Sequence, residues 1–220
     1  MRTYVSPIGY DTRRVTRPVV RTGLSSADTV QLLRPEQESD TERASQAVAD
    51  VEQLLQEIEP NAECVVTRIS TASFEQTVRE CCDVVSNIPD DRQTIVSLGG
   101  GARDILLPLT VSSLVFAHRI DQTLFFSDLD STVREWSLPE LTPQFPNRAT
   151  ETFEAVVSAE EWASLTELAT ETEQSKSTVI RHVQDLEAAG VLESDTSEKS
   201  KRVRVAFSGE LFWMAHRSST

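Results

Sequence analysis

The sequence predicts an α/β chain, in which a parallel sheet flanked by helices is followed by a small helical unit with a hairpin. Two observations carry this. Over residues 1–138 short apolar runs alternate with stretches of helical periodicity, as strands joined by crossover helices require. All nine prolines lie before residue 150, three of them in "LPELTPQFPN", so the composition shifts there. The expected division is a sheet domain over 1–138, a semi-rigid linker over 139–150 and a second domain over 151–220.

The strands follow in order: Thr3–Ile8, Thr29–Leu33, Cys64–Ile69, Thr94–Leu98 and Gln122–Ser127, with a weaker Thr132–Leu138. Ala44, Ala47, Val48, Val51, Leu54, Leu55 and Ile58 recur at helical spacing between the second and third strands, and Phe74, Val78, Cys81, Val85 and Ile88 between the third and fourth. Ile105–Ala117 is apolar nearly all round, as a helix over the middle of a sheet would be, and Pro108 is expected to kink or break it. Thr12–Gly23 contains Pro18 and is expected to be only partly helical.

In the second domain Ser158–Glu161 fits a capping box. Leu165–Thr170 reads as a short helix and Glu171–Gln174 as a turn. Ser175 then caps a helix that runs to Ala189 and stops at Gly190. Val191–Glu193 and Lys201–Phe207 are strands around a polar tip, and Glu210–Arg217 is a last amphipathic segment.

Composition excludes some functions and reframes others. No stretch approaches the ~20 apolar residues of a membrane span, and the N-terminus lacks a signal-peptide core. Cys64, Cys81 and Cys82 form neither a disulfide framework nor a zinc pattern, so a reduced, cytoplasmic protein is expected. The net charge is −14, and of 21 basic residues only Lys176, Lys199 and Lys201 are lysines. An acidic, lysine-poor surface suits a cytoplasm at very high salt, so a halophilic source is expected and global acidity does not argue against nucleic acid.

Two constellations carry chemistry. The chain has only seven glycines, and three stand together in "SLGGGARD". Such a run marks a phosphate seat, a closely packed helix or a tight turn. In a sheet ordered 3-2-1-4-5 the first and fourth strands are neighbours, and ligands bind outside their carboxyl ends. "PIGYD" and "SLGGGARD" would then meet at one crevice. There the amides of Gly100, Gly101 and Ala102 would seat an anion, and Arg103 would add a forked cation. Neither the dinucleotide G-x-G-x-x-G nor the triphosphate loop is present.

The second constellation is helix, turn, helix and basic hairpin, the winged helix-turn-helix arrangement. Val179, Val183 and Leu186 lie on its core side. Ser177, Thr178, Arg181 and Asp185 lie opposite, with His182 at the margin. Ser175, Lys176, Ser177, Thr178, Arg181 and His182 on the helix, with Lys199, Lys201, Arg202 and Arg204 on the hairpin, are the candidate DNA contacts. His118, His182 and His216 show no ligand spacing, so no metal is expected, and no nucleophile elbow is present. Phe212 and Trp213 are expected to form a contact with another surface rather than a cofactor stack.

"LTELATETEQSKSTVIRHVQDLEAAGVLE" is similar to the winged-helix transcriptional regulators of bacteria and archaea, which implies a recognition helix in a major groove and binding as a dimer. With "YVSPIGYD" and "IVSLGGGARDILLPL", the whole chain resembles the CRISPR-associated Rossmann-fold transcriptional regulators of the Csa type. The resemblance implies a homodimer whose two Rossmann-like domains share a cyclic oligoadenylate, commonly the tetra-adenylate, across a twofold axis. It would place Gly100, Gly101, Ala102 and Arg103, with Ser97 and Gly99, on one side of the ligand. Gly9, Tyr10, Asp11, Thr12 and Arg13 would line the other. The implied protein is a binding regulator of CRISPR-Cas genes, not an enzyme, and needs no cofactor beyond its signalling ligand. The alternatives are a Rossmann-like half that only dimerises, and an enzyme, either a ring nuclease in which Ser97, Thr12 and Arg103 cut the ligand or another nucleotide-processing enzyme.

Overall fold

The computed structural model describes residues 1–37, 41–141, 144–159, 161–196 and 200–217, the last three without their side chains. It divides into two compact units, Met1–Leu138 and Pro139–Thr220.

The first unit is a six-stranded Rossmann-like sheet of order β3-β2-β1-β4-β5-β6. Its strands are β1 (Arg2–Pro7), β2 (Thr29–Pro35), β3 (Glu63–Ile69), β4 (Gln93–Ser97), β5 (Gln122–Phe126) and β6 (Val133–Trp136). The first five run parallel, and β6 closes the edge as an antiparallel hairpin with β5. Central strands are apolar on both faces because helices cover both. Tyr4, Leu32, Ile95 and Leu124 face α1 (Arg13–Thr22) and α2 (Thr41–Ile58), meeting Val15, Val19, Val51 and Leu55. Val5, Leu33 and Val96 face α3 (Phe74–Ser86) and α4 (Arg103–Val115), meeting Cys81, Val85, Ile105 and Leu109.

Neither helix-interior proline breaks its helix. Pro18 does not shorten α1, which is helical over all ten residues, and Pro108 does not end α4. Each sits at the sixth helical position, so only one intrahelical bond is forfeited. Burial of Val15, Pro18 and Val19 in α1, and of Ile105, Pro108 and Leu109 in α4, offsets that loss.

The second unit holds α5 (Thr150–Ser158), α6 (Leu165–Glu171), α7 (Lys176–Ala188) and α8 (Phe207–Arg217). Its antiparallel sheet, ordered β7-β9-β8, comprises β7 (Ala163–Ser164), β8 (Leu192–Asp195) and β9 (Arg202–Val205). Phe153, Leu168, Val179, Val183 and Leu186 form its core. The expected capping box at Ser158–Glu161 is not a helix start, because α5 ends at Ser158. The box lies six residues later, where Ser164 accepts from the Glu167 amide and Glu167 answers on the Ser164 amide. Ser175 caps α7 as its sequence predicts, accepting from the Thr178 amide at 3.2 Å.

Two aromatic expectations change. Phe212 and Trp213 are half-buried inside this unit, against Phe153. Phe145, from the segment read as linker, stacks on Phe212 at 4.4 Å between ring centroids and meets Phe153 edge-on at 5.2 Å.

Candidate functional site

The β1–α1 and β4–α4 turns meet because β1 and β4 are hydrogen-bonded neighbours ending on the same rim. A Cβ at Gly9 would lie 3.2 Å from the Gly101 Cα. Each glycine of the triplet answers a separate steric demand. A Cβ at Gly99 would stand 2.6 Å from the Phe126 amide nitrogen, and one at Gly100 would stand 2.8 Å from the Arg14 Cβ. Gly101 has φ +84° and presses on Pro7, where a Cβ would come within 2.6 Å of the proline Cβ. The run is therefore a backbone wedged between β5, α1 and β1, the condition under which only glycine fits.

Past this contact the chain enters α4, whose first amides have no intrahelical acceptor. Among the described residues, the Gly100, Gly101 and Ala102 amides donate no hydrogen bond. Beside them lies a cavity of about 330 Å³, lined by Ile8, Gly9, Tyr10, Arg34, Gln37, Ala44, Gly101, Ala102 and Asp104, among others. Tyr10 is half exposed at its edge, with the Arg43 guanidinium 4.4 Å from its ring centroid.

The structure thus gathers Gly9, Tyr10, Gly101 and Ala102 around one cavity and leaves the other candidates outside its lining. Arg103 is exposed and, among the described residues, has no hydrogen-bond or ion-pair partner; Asp104 takes the lining position. Asp11 is committed to Arg13 through 2.8 and 3.0 Å bonds, and the Arg13 hydrogen bond holds its carboxyl below the usual range. Thr12 caps α1 through its carbonyl alone, accepting from Val15 and Thr16. Ser97 ends β4 with its hydroxyl buried and without a partner among the described residues.

Sequence reasoning missed Arg34 and Arg14. Arg34 is 3% exposed at the carboxyl end of β2, next to β1, and the strand order alone places that end at the same rim. Arg14 donates to the Gly99 carbonyl at 2.9 Å and pairs with Asp128 at 2.6 Å. Helical phase, with Arg13 turned outward, is the signal that separates the two neighbours.

In the second unit the start of α7 presents a polar face, with Ile180 also exposed on the helix. Ser175, Ser177 and Thr178 share hydroxyl contacts of 2.8–2.9 Å at its start, and Arg181 lies exposed beyond them. Among the described residues Arg181 has no ion-pair partner, whereas Lys176 reaches the Thr166 hydroxyl at 3.3 Å. His182 is not on this face. It is 5% exposed, and its Nδ1 lies 2.9 Å from the Thr152 hydroxyl, so it is a core residue. Burial, then Arg181 and Arg148, lowers its pKa. Lys199 lies outside the described residues. The remaining hairpin cations are matched with acids: Lys201 with Glu187 at 2.6 Å, Arg202 with Asp195 at 3.8 Å, and Arg204 with Glu193. Arg204 also lies 4.7 Å from the Trp162 ring centroid.

Among the described residues no cluster of His, Cys, Asp and Glu could hold a metal, and no helix is long and apolar enough to cross a membrane.

Comparison with known proteins bears on both units. The family described as the Csa3 CRISPR-associated Rossmann-like domain matches residues 2–130, and a family described as HVO_A0114 matches residues 147–210. No curated protein matches the chain. Among solved structures, Enterococcus italicus Csm6 bound to cyclic hexa-2'-fluoro-hexa-dAMP is similar at a TM-score of 0.51 and 10% identity, over 87% of this chain and 55% of that one. Protein VC1899 from Vibrio cholerae is similar at a TM-score of 0.43 and 6% identity, over 96% of this chain and 63% of that one. The chain thus spans little more than half the length of the Csm6 chain, and the likeness is one of fold.

Proposed function

The chain belongs to the family of the Csa3 CRISPR-associated Rossmann-like domain, and from that premise we propose that it is a DNA-binding regulator responsive to a cyclic oligoadenylate. The observation that carries this reading is the meeting of Gly9 and Gly101 beside unengaged amides and a cavity. Amides at a helix start favour an anion, and Arg34 brings positive charge to a lining that also contains Asp104. The Csm6 structure of the same fold holds a cyclic adenylate analogue, which supports that ligand class.

The working form in this reading is a homodimer. Leu107 and Val111 stand 57% and 37% exposed on α4, one turn apart in line with Arg103, giving the sheet unit an apolar stripe for a second copy. A cyclic ligand with internal symmetry suits a twofold site, since both halves meet it through the same residues. The second unit has the helix, turn, helix and hairpin order of a winged helix-turn-helix, with Ser177, Thr178 and Arg181 as the reading face. Binding, not ring cleavage, is the role assigned to the sheet unit. For ligand to regulate, it must prefer one of two dimer arrangements that differ in their fit to DNA.

Calorimetry with cyclic tetra-adenylate tests the reading. Wild type is expected to bind, Arg103→Ala to bind more weakly, and linear products not to form. No heat from wild type would leave the sheet unit as a dimerisation platform, and linear products would make it a ring nuclease.

A further inference from the structure

Arg14 joins two turns that the sequence keeps far apart. Its Nη1 donates to the Gly99 carbonyl at 2.9 Å, its Nη2 lies 2.6 Å from the Asp128 carboxylate, and its Nε stands 3.6 Å from Asp11. The guanidinium also lies 5.7 Å from the Phe126 ring centroid. Its stem fills the space that a Cβ at Gly100 would take. Arg14 therefore lies directly against the glycine turn.

Asp128 is held less firmly than its partner. Its side chain is 67% exposed, against 31% for Arg14. It begins the turn between β5 and β6, which is otherwise well tied: Ser131 donates to the Ser127 carbonyl, Asp130 accepts from Thr132, and Arg17 donates to the Ser131 carbonyl at 2.6 Å. Asp11 already serves Arg13. So the Arg14 guanidinium has two ion-pair partners, of which only Asp128 stands within hydrogen-bond distance, at 2.6 Å against 3.6 Å for Asp11, and Asp128 is an exposed carboxylate at the same rim.

We propose that Asp128 is a built-in competitor for the anion site: it occupies Arg14 until a phosphate on the 100–102 amides draws the guanidinium away. This rests on the anion-seat reading above. An anion there approaches Arg14 without desolvating a new cation, and the exchange leaves Asp128 in water, where an exposed carboxylate is well solvated. The release would loosen a tie between the β5–β6 turn and α1, leaving the Arg17 bond to the Ser131 carbonyl. β6 is the strand through which the chain leaves the sheet unit, so the exchange would act on the segment nearest the exit.

The test uses the full-length chain and two probes, cyclic tetra-adenylate and inorganic tripolyphosphate. Asp128→Asn keeps the shape of the side chain and removes the competing charge. It is expected to tighten binding by about fivefold, the scale of an ion pair of this exposure. Arg14→Gln is expected to weaken binding, and in that background Asp128→Asn should change nothing, which a merely structural role for Asp128 would not produce. Unchanged or weaker binding by Asp128→Asn, with every probe that wild type binds, overturns the proposal. Failure of wild type to bind cyclic tetra-adenylate, with tripolyphosphate still showing the Asp128 effect, would overturn the oligoadenylate reading and leave the competitor standing. Failure of both wild type and Asp128→Asn to bind either probe overturns the competitor too.

Discussion

Gly9 and Gly101 approach so closely that a Cβ on Gly9 would lie 3.2 Å from the Gly101 Cα. The contact ties the first strand's exit to the fourth's, and everything at the rim is positioned by it.

A graded loss of stability should follow substitution of the turn glycines. Gly101→Ala combines a positive φ with a Cβ 2.6 Å from Pro7, whereas Gly23→Ala has φ +80° and open space. The first is expected to lose about 2–4 kcal/mol and the second about 1–2 kcal/mol, since backbone strain is common to both and crowding is not. Urea denaturation measures both; equal losses would mean that Pro7 yields freely.

Arg181 should matter more to DNA binding than any hairpin cation. It is exposed on α7 beside Ser177 and Thr178, while Lys201, Arg202 and Arg204 are engaged by acids. Arg181→Ala is expected to weaken operator binding about tenfold or more in a mobility-shift assay, the worth of a good base contact. Arg204→Ala should cost less. The reverse order would move the reading face to the hairpin.

The same ion pairs predict a shallow salt dependence. A phosphate that takes Lys201 from Glu187, or Arg202 from Asp195, exchanges one anion for another and strands a carboxylate near DNA. Per binding unit, the described cations free of acids are Lys176 and Arg181, so the slope of log K against log salt should be about −2, at −0.9 for each phosphate. A slope of about −4 to −5 would mean that the hairpin pairs open at no cost.

His182 sets a pH dependence of known sign. Its folded pKa lies below the unfolded value of about 6.5, because burial disfavours the imidazolium and Arg181 and Arg148 repel it. Above that value the ring is neutral in both states and nothing is lost. As pH falls through 6.5 the unfolded chain takes the proton first, so stability drops until the pH passes the folded value. Urea midpoints for wild type should fall from pH 7.5 to 5.5, and the fall should be smaller in His182→Gln. A parallel decline in both proteins would assign the effect to other groups.

Much of the fold was readable because its signals are local. Apolar runs placed all six strands of the sheet; the order 3-2-1-4-5 supposed for the first five is the observed one, but alternation with helices does not by itself select it, and β6 was given no place. Pro18 misled because propensity opposes helix there while tertiary burial of Val15 and Val19 decides the outcome. Ser158 misled because Ser-x-x-Glu recurs within six residues, and only packing of Ala163 into the core chooses the second copy at Ser164. The rim was half legible. Its glycines announce themselves by composition, whereas Arg34 needs the strand order, Arg14 the phase of α1, and Asp128 a contact between α1 and the β5–β6 turn that no local pattern encodes. His182 was misplaced for a related reason: a helix margin looks polar in projection until Thr152 on another helix closes over it.

Phe145 carries a practical lesson for anyone who wishes to dissect the molecule. A fragment started at residue 150 would keep every described α-helix of the second unit yet strip the ring that stacks on Phe212 and abuts Phe153. Such a fragment would present two uncovered aromatics to solvent and should precipitate or pair with itself, whereas one begun at Pro139 brings its own cover along. Severing the halves cleanly therefore depends on cutting ahead of the prolines rather than behind them.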